Sequence, residues 1–308
     1  AALDSAETLD PPGLRWAGSY RQEILDRWFG PQIHGIPLPW FAPPGRSALE
    51  LFPGEVTILL GIPGHGKTNL LLQLLNHIGA CGMRSCLASF EVDGWDSLAM
   101  QQRMILGHRP ADTEESNTAQ DRIEEYMILL DEGKSMTAPL SRVLDSWTYA
   151  HARYGCGMFA MDSFMCLDKL PMDDFEGQKQ AMRQIVEFAR ARQVHVITVM
   201  HPNKATDPKR MPGMYDVIGA SPMVNLCHNG MSLWRNIARE HGESTKEEAD
   251  NVLEVWKCRT IGRALARYRL RYEPGPGAFA AMDDPMEDAA NPGWRRANDG
   301  GWIQEREN

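Results

Sequence analysis

Apolar residues along this chain come in short unbroken runs, separated by longer stretches in which they recur every three or four positions. The runs are Glu55–Leu60, Ser85–Phe90, Tyr126–Leu130, Gly157–Asp162 and Val194–Met200. Runs of this length, rich in β-branched or aromatic residues, predict strands buried on both faces. Between them, Lys67–His77, Trp95–Leu106, Leu140–Tyr154 and residues 176–192 predict helices. Asp112–Glu125 is polar and carries no clear period. Gly230–Trp234 and Val252–Trp256 predict two more strands. Strands alternating with helices predict an α/β fold, a mostly parallel sheet with helices on both faces.

The two ends differ from this pattern. Residues 1–53 form an N-terminal arm with a Pro-rich approach to the core. Within it, Ser19–Phe29 predicts a short amphipathic helix with Tyr20, Ile24, Leu25 and Trp28 on one face. That face could pack on its own domain or dock on a neighbouring subunit, and both readings stand open. Residues 54–275 make the expected core, and residues 276–308, rich in Pro, Gly, Asp and Asn, read as a loose acidic tail.

Composition narrows the chemistry only a little. The formal net charge of −9 means that any polyanion must be held by a local basic patch. Six cysteines show neither C-x-x-C pairs nor zinc-ligand spacing, so free thiols in a reducing compartment are expected. No apolar run reaches the ~18 residues of a membrane span, and no signal peptide or membrane partner is expected.

The sharpest chemical signal lies between the first core strand and the first core helix. Gly61-Ile62-Pro63-Gly64-His65-Gly66-Lys67-Thr68 satisfies G-x-x-x-x-G-K-[ST], the phosphate-binding P-loop, and Asn69 continues it into the helix. Glycines let such a loop curl until its N–H groups face phosphate oxygens, and the helix N-terminus adds positive potential. Lys67 is expected to reach the β- and γ-phosphates, and the Thr68 hydroxyl to bind Mg²⁺. The cofactor set is therefore ATP, or another NTP or dNTP, with Mg²⁺. Glu91, Asp162 and His201 each follow a predicted strand, so an open parallel sheet brings them to the same edge as the P-loop. Asp162 ends a Walker B pattern and is expected to hold Mg²⁺ through water. Glu91 is a candidate base for the attacking water, and His201 a candidate γ-phosphate contact. The polar segment after His201 carries Lys204, Lys209 and Arg210. Farther on, Arg263, Arg267, Arg269 and Arg271 are interleaved with Tyr268 and Tyr272, either as a solvated strand face or as a nucleic-acid surface.

The order of these motifs resembles a family. Gly61–Thr68, Ser89-Phe90-Glu91, Met161-Asp162-Ser163, Val199-Met200-His201-Pro202, Asp216–Ser221 and Lys257-Cys258-Arg259 look like the RecA-core replicative DNA helicases. The likeness is nearest to the helicase half of phage primase-helicases and of Twinkle, with DnaB more distant, and it covers residues 18–275. It implies a RecA-like P-loop NTPase core that forms a hexameric ring and moves on single-stranded DNA. It implies that Glu91 is the catalytic glutamate and that His201 is a switch between γ-phosphate and DNA. It implies that Lys257 and Arg259 reach the γ-phosphate of the next subunit, and that Tyr272, thirteen residues past Arg259, stacks on the base. Asn203 and Lys204, then Gly219 and Ser221, match the loops that face DNA, and Lys209 and Arg210 fall within the same stretch. A primase or a DNA polymerase is among the partners implied, and a cytoplasmic setting in a bacterial or phage-infected cell is expected ahead of a mitochondrial one. His65 departs from the family's usual residue, and the charged stretch from Ile237 to Asp250 is unusually long. Neither a zinc ribbon nor a primase-like acidic cluster precedes the core, so primer synthesis by this chain is not expected.

Two other functional classes fit the same motifs. One is a RecA- or KaiC-like ATPase that coats DNA without unwinding it. The other is a nucleotide-switched assembly or loader module.

Overall fold

The computed structural model describes residues 14–30, 35–40, 49–131, 137–168, 170, 174–203, 206–207, 209–217, 220–237, 250–259, 266–282, 294–296 and 302–304. The chain divides into two compact units, Ala1–Gly35 and Ile36–Asn308. In the first, a 3₁₀ turn at Ala17–Tyr20 runs into helix α1 (Arg21–Phe29), as the amphipathic spacing predicts. An Arg15–Glu23 pair at 3.0 Å ties the turn to the helix.

The second unit is built on a nine-stranded sheet. A small antiparallel pair comes first, β1 (Ile36–Pro37) and β2 (Glu50–Leu51). Then follow β3 (Val56–Gly61), α2 (Lys67–Ala80), β4 (Ser85–Ser89), α3 (Gly94–Leu106), α4 (Thr113–Glu124), β5 (Met127–Leu130), α5 (Leu140–Tyr154) and β6 (Met158–Asp162). Next come α6 (Phe175–Arg192), β7 (His195–Met200), α7 (Ala220–Leu226), β8 (Asn229–Arg235), β9 (Asn251–Cys258), β10 (Arg267–Glu273) and β11 (Ala278–Ala281). The order across the large sheet is β11-β10-β9-β8-β3-β7-β6-β4-β5. Strands from β8 through β5 pair in parallel, whereas β9, β10 and β11 add an antiparallel edge.

The element types follow from side-chain chemistry. Every residue of β3, β6 and β7 is buried, as expected of strands covered on both faces. In α5, Val143, Trp147 and Ala150 bury one stripe, and Trp147 meets Phe159 with ring centroids 5.2 Å apart. Phe159 in turn packs edge-on against Phe188 of α6 at 5.3 Å.

The structure departs from the sequence pattern in three places. The polar stretch that follows Asp112 is helix α4: Asp112 caps it by accepting from the Glu115 N–H at 2.9 Å, and only Ala119 and Ile123 are buried. With so thin an apolar stripe, hydrophobic periodicity carries little signal. The core also begins before residue 54, because Leu38, Trp40, Leu49 and Leu51 are buried in it. Finally, the core does not end at residue 275. β11 belongs to the large sheet, and Phe279 within it is buried. Within the remaining tail, β12 (Trp294–Arg296) pairs antiparallel with β13 (Trp302–Gln304).

Candidate active site

The P-loop joins β3 to α2 at the carboxyl edge of the parallel strands. Gly64 and Gly66 turn it with φ of +80° and +87°, backbone that side chains with a Cβ rarely adopt. Gly66 is doubly constrained, since an added Cβ would lie 3.0 Å from Phe279 Cζ. β11 and the turn before it are held against the loop by polar residues on the leucine-rich α2. Asn69 Nδ2 donates to Gly277 O at 3.0 Å, Gln73 Nε2 donates to Phe279 O at 2.8 Å, and Phe279 N donates back to Gln73 Oε1 at 2.8 Å. Asn69 and Gln73 on a leucine-rich helix were the one sequence signal for this contact.

Lys67 and Asp162 face the loop from α2 and from the end of β6. Lys67 is 5% exposed, and its Nζ donates to Ile62 O at 3.2 Å. Thr68 Oγ1 donates to Asp162 Oδ2 at 2.6 Å, while Asp162 Oδ1 is buried with no hydrogen-bond partner. Burial pushes the Lys67 ammonium pKa down, opposed by the charges of Asp162 and Glu91. Burial likewise pushes the Asp162 carboxyl up, opposed by the Thr68 hydroxyl. Each of these ionic groups is thus short of compensating charge. A nucleoside triphosphate supplies negative charge to Lys67, and Mg²⁺ would satisfy the orphaned Asp162 oxygen beside the Thr68 hydroxyl, so the residues fit both.

Glu91, just past β4, and His201, just past β7, meet: His201 Nε2 lies 3.0 Å from Glu91 Oε1. The His201 hydrogen bond, joined by one from Ser163, holds the Glu91 carboxyl down at about 2 against the opposing effect of burial. The peptide between Asp162 and Ser163 is cis. β6 and β4 lie side by side with Ser89 opposite Asp162, and β7 lies between β6 and β3. That strand order brings four chain-distant side chains, Lys67, Glu91, Asp162 and His201, to one edge.

Comparison with known proteins bears on this arrangement. No protein-family model matches the chain. The chloroplastic/mitochondrial Twinkle homolog of Arabidopsis thaliana is 27% identical over 208 residues, which are 61% of this chain and 29% of that protein. The chain therefore spans less than a third of that relative's length. A solved ATPase domain shares the fold with a TM-score of 0.61 at 17% identity, over 74% of this chain and 85% of that one. A DnaB-like replicative helicase, solved for its interactions with primase, gives a TM-score of 0.60 at 15% identity over 74% and 59%. The fold is the RecA-like core that these two solved structures share.

Other predicted positions fall elsewhere on this core. Tyr272 ends β10 at the P-loop edge, its ring 5.4 Å from that of Phe279. Together with Gly64, His65, Asn69, Arg235 and Asn251 it lines a cavity of about 540 Å³. His65, a departure from the family pattern, is 5% exposed, and its Nδ1 accepts from the Arg235 N–H at 3.0 Å. It therefore ties the P-loop to the end of β8, a contact that sequence reasoning missed.

Lys257 and Arg259 do not join the P-loop of their own chain. β9 runs antiparallel to β8, with Asn251 opposite Arg235 and Cys258 opposite Asn229, which carries the pair to the far end of the sheet. There Lys257 Nζ donates to Val224 O and, at 2.8 Å, to Cys227 O, while Arg259 Nη2 donates to Asn225 O. Both cations thus cover the carboxyl end of α7, where carbonyls lack helical partners.

The expected DNA loop between β7 and α7 is closed on itself. Asn203 N donates to Asp216 O at 2.7 Å, and Pro202 bridges to Val217. Arg210 is not a free cation: Nη1 donates to Asp216 Oδ2 at 2.9 Å and Nη2 to Oδ1. Burial pushes the Asp216 carboxyl up, but Arg210 and the Gly213 N–H outweigh it and leave it below the usual range. Lys209 is exposed in the same loop. Lys204 and Gly219 lie outside the described residues, as does the side chain of Ser221; Arg263 and the stretch 238–249 lie outside them too. Arg267 of the arginine cluster pairs with Glu254 at 2.6 Å on a strand face. All six cysteines are free. Among the described residues no helix is long and apolar enough to cross a membrane, and no group of three or more His, Cys, Asp or Glu could hold a metal ion.

Proposed function

We propose that this chain is the motor core of an ATP-dependent replicative DNA helicase, acting as a hexameric ring that translocates on single-stranded DNA. The observation that carries the proposal is the Glu91–His201 contact at 3.0 Å beside the P-loop. It joins the candidate base to the first residue of the loop that closes through Asn203 and Asp216. In this reading Gly61–Asn69 cradle the triphosphate, Lys67 neutralises its outer phosphates, and Tyr272 flanks the base. Thr68 and Asp162 would hold Mg²⁺, which would supply positive charge to the phosphates. Glu91 orients the attacking water and takes its proton as the bond from the γ-phosphorus to the ADP oxygen breaks. While His201 holds it, Glu91 is ionised but weakly basic, and release from that hydrogen bond strengthens it as an acceptor. His201 releases or holds Glu91 according to whether the γ-phosphate is present.

Arg259, remote from its own P-loop, serves the site of the next subunit, where a cation supplied in trans couples hydrolysis around the ring. The DNA path takes in Asn203, Lys204, Lys209, Gly219 and Ser221. Arg210 contributes by bracing the loop on Asp216. The relative and the two solved structures support this reading by fold and by partial sequence likeness.

The test is sizing with and without ATP and single-stranded DNA, followed by ATPase and forked-substrate assays on the same sample. A ring whose ATPase rises with single-stranded DNA and which displaces a strand is expected. Stimulated hydrolysis without displacement would favour a DNA-coating ATPase. Slow hydrolysis indifferent to DNA would favour a switch module.

A further inference from the structure

The loop that leaves β7 presents an aromatic ring to solvent. Tyr215 is 81% exposed. It is nonetheless anchored, because the next residue, Asp216, is the hub of the loop. The Asp216 carboxylate accepts from Arg210, from Thr206 Oγ1 at 3.2 Å and from Gly213 N at 2.8 Å, and its backbone O accepts from Asn203 N at 2.7 Å. A largely buried carboxylate with so many charge-assisted or backbone donors holds its neighbours in one arrangement. The ring is therefore offered outward from a fixed support. Lys209 places an exposed positive charge in the same loop, whereas Arg210 is paired with Asp216 and braces the turn. A flat π face on a fixed backbone, in a loop that also carries a cation, is the combination that grips unpaired bases without regard to sequence.

We propose that Tyr215 is a stacking platform for an unpaired base of single-stranded DNA. The proposal rests on the motor function proposed above and adds a base contact to a loop otherwise credited with phosphate contacts. It also gives the nucleotide site a mechanical route to DNA. His201, which touches Glu91, is two residues from Asn203, and Asn203 bonds to the residue adjoining Tyr215. A displacement of His201 is passed through two short backbone links to the ring.

The test uses the full chain bound to a non-hydrolysable ATP analogue. Affinity is read by anisotropy of a fluorescein-labelled oligodeoxythymidine, and contact by photocrosslinking an oligonucleotide carrying 5-iododeoxyuridine, mapped by mass spectrometry. The crosslink is expected on Tyr215. Tyr215→Ala should weaken single-strand binding on the order of tenfold, with affinity for the analogue unchanged. Tyr215→Phe, which keeps the ring, should bind like the parent. Because the side chain is exposed, neither variant threatens folding. Parent-like binding by Tyr215→Ala, or crosslinks that avoid Tyr215, would overturn the proposal. Failure of the parent protein itself to bind single strands, with the analogue bound, would overturn the motor reading and this inference with it. The two failures are distinguishable, since only the second removes single-strand binding from the unsubstituted protein.

Discussion

His201 Nε2 and Glu91 Oε1 lie 3.0 Å apart, although 110 residues separate them in the chain. The contact makes the ionisation of Glu91 depend on His201, since that hydrogen bond is the main reason its carboxyl sits at about 2. Glu91→Gln should keep nucleotide binding while lowering turnover about 10²–10⁴-fold, the usual worth of a positioned base. His201→Ala should let the Glu91 pKa climb back toward 4.5. It should abolish stimulation by single-stranded DNA while leaving nucleotide affinity near that of the parent. Steady-state ATPase assays with and without DNA, beside equilibrium binding of a fluorescent nucleotide, separate these effects; intact stimulation in His201→Ala would remove the switch role.

Gly66→Ala tests the P-loop geometry without touching a charged group. Gly66 has φ of +87°, and a Cβ there would lie 3.0 Å from Phe279 Cζ. Strain and crowding act together, and a loss of stability of about 1–3 kcal/mol is expected, with weakened nucleotide binding. Chemical denaturation and nucleotide titration check it. Pairing the change with Phe279→Leu should recover part of the stability, because that relieves the contact but not the backbone strain.

Acid should loosen the opposite end of the sheet before it protonates Glu91. His195 Nδ1 lies 2.7 Å from Phe52 O and Nε2 lies 2.9 Å from Thr57 Oγ1, while His228 Nδ1 accepts from Val56 N at 3.0 Å. Burial holds both imidazoles down at about 4, and Arg190 adds to the effect at His228. A histidine depressed below its unfolded value of 6.5 stabilises the fold above that pH, and the contribution is lost as pH falls from 6.5 toward 4. Glu91, depressed to about 2, loses its contribution only below 4.5. The urea midpoint should therefore drop between pH 6.5 and 4.5, and His195→Asn should flatten that drop. A midpoint constant across this window would show that the two histidines are not held neutral.

Arg259 and Lys257 should part company on substitution. Rings made only of Arg259→Ala subunits should bind nucleotide but turn over about 10³-fold or more slowly, and rings of Lys67→Ala should be inactive. Mixed together they should regain activity, because an Arg259→Ala subunit keeps an intact P-loop and receives Arg259 from its Lys67→Ala neighbour. ATPase activity across mixing ratios reads this directly, and no recovery at any ratio would count against a shared site. Lys257→Ala strips partners from the carbonyls of Val224 and Cys227. It should cost about 1–3 kcal/mol of stability, visible as a lower denaturation midpoint.

Several parts of this molecule could be read from local pattern alone. The runs ending at Gly61, Ser89, Asp162 and Met200 are strands because their residues are apolar on both sides, and a central parallel strand needs no more. The P-loop was legible because phosphate binding demands particular residues at fixed spacing in a continuous segment. α4 was not legible, because a polar helix held by its cap and two buried residues lacks the period that marks amphipathic helices. β11 was not legible either. Its place depends on Asn69, Gln73 and Trp40 reaching its backbone from segments more than 200 residues away.

The sequence by itself determined which groups are available: three glycines, a lysine and a threonine in one loop, then acids and a histidine at the ends of separate strands. Those are covalent and local facts, set by spacing. Only the tertiary structure decided who meets whom. The strand order put β7 between β3 and β6, which brought His201 to Glu91 and Asp162 to Thr68. The antiparallel turn into β9 carried Lys257 and Arg259 to the far end of the sheet, onto the carbonyls that end α7. Direction and order of strands are properties of the whole sheet, fixed by burial of both its faces at once. No single segment encodes them.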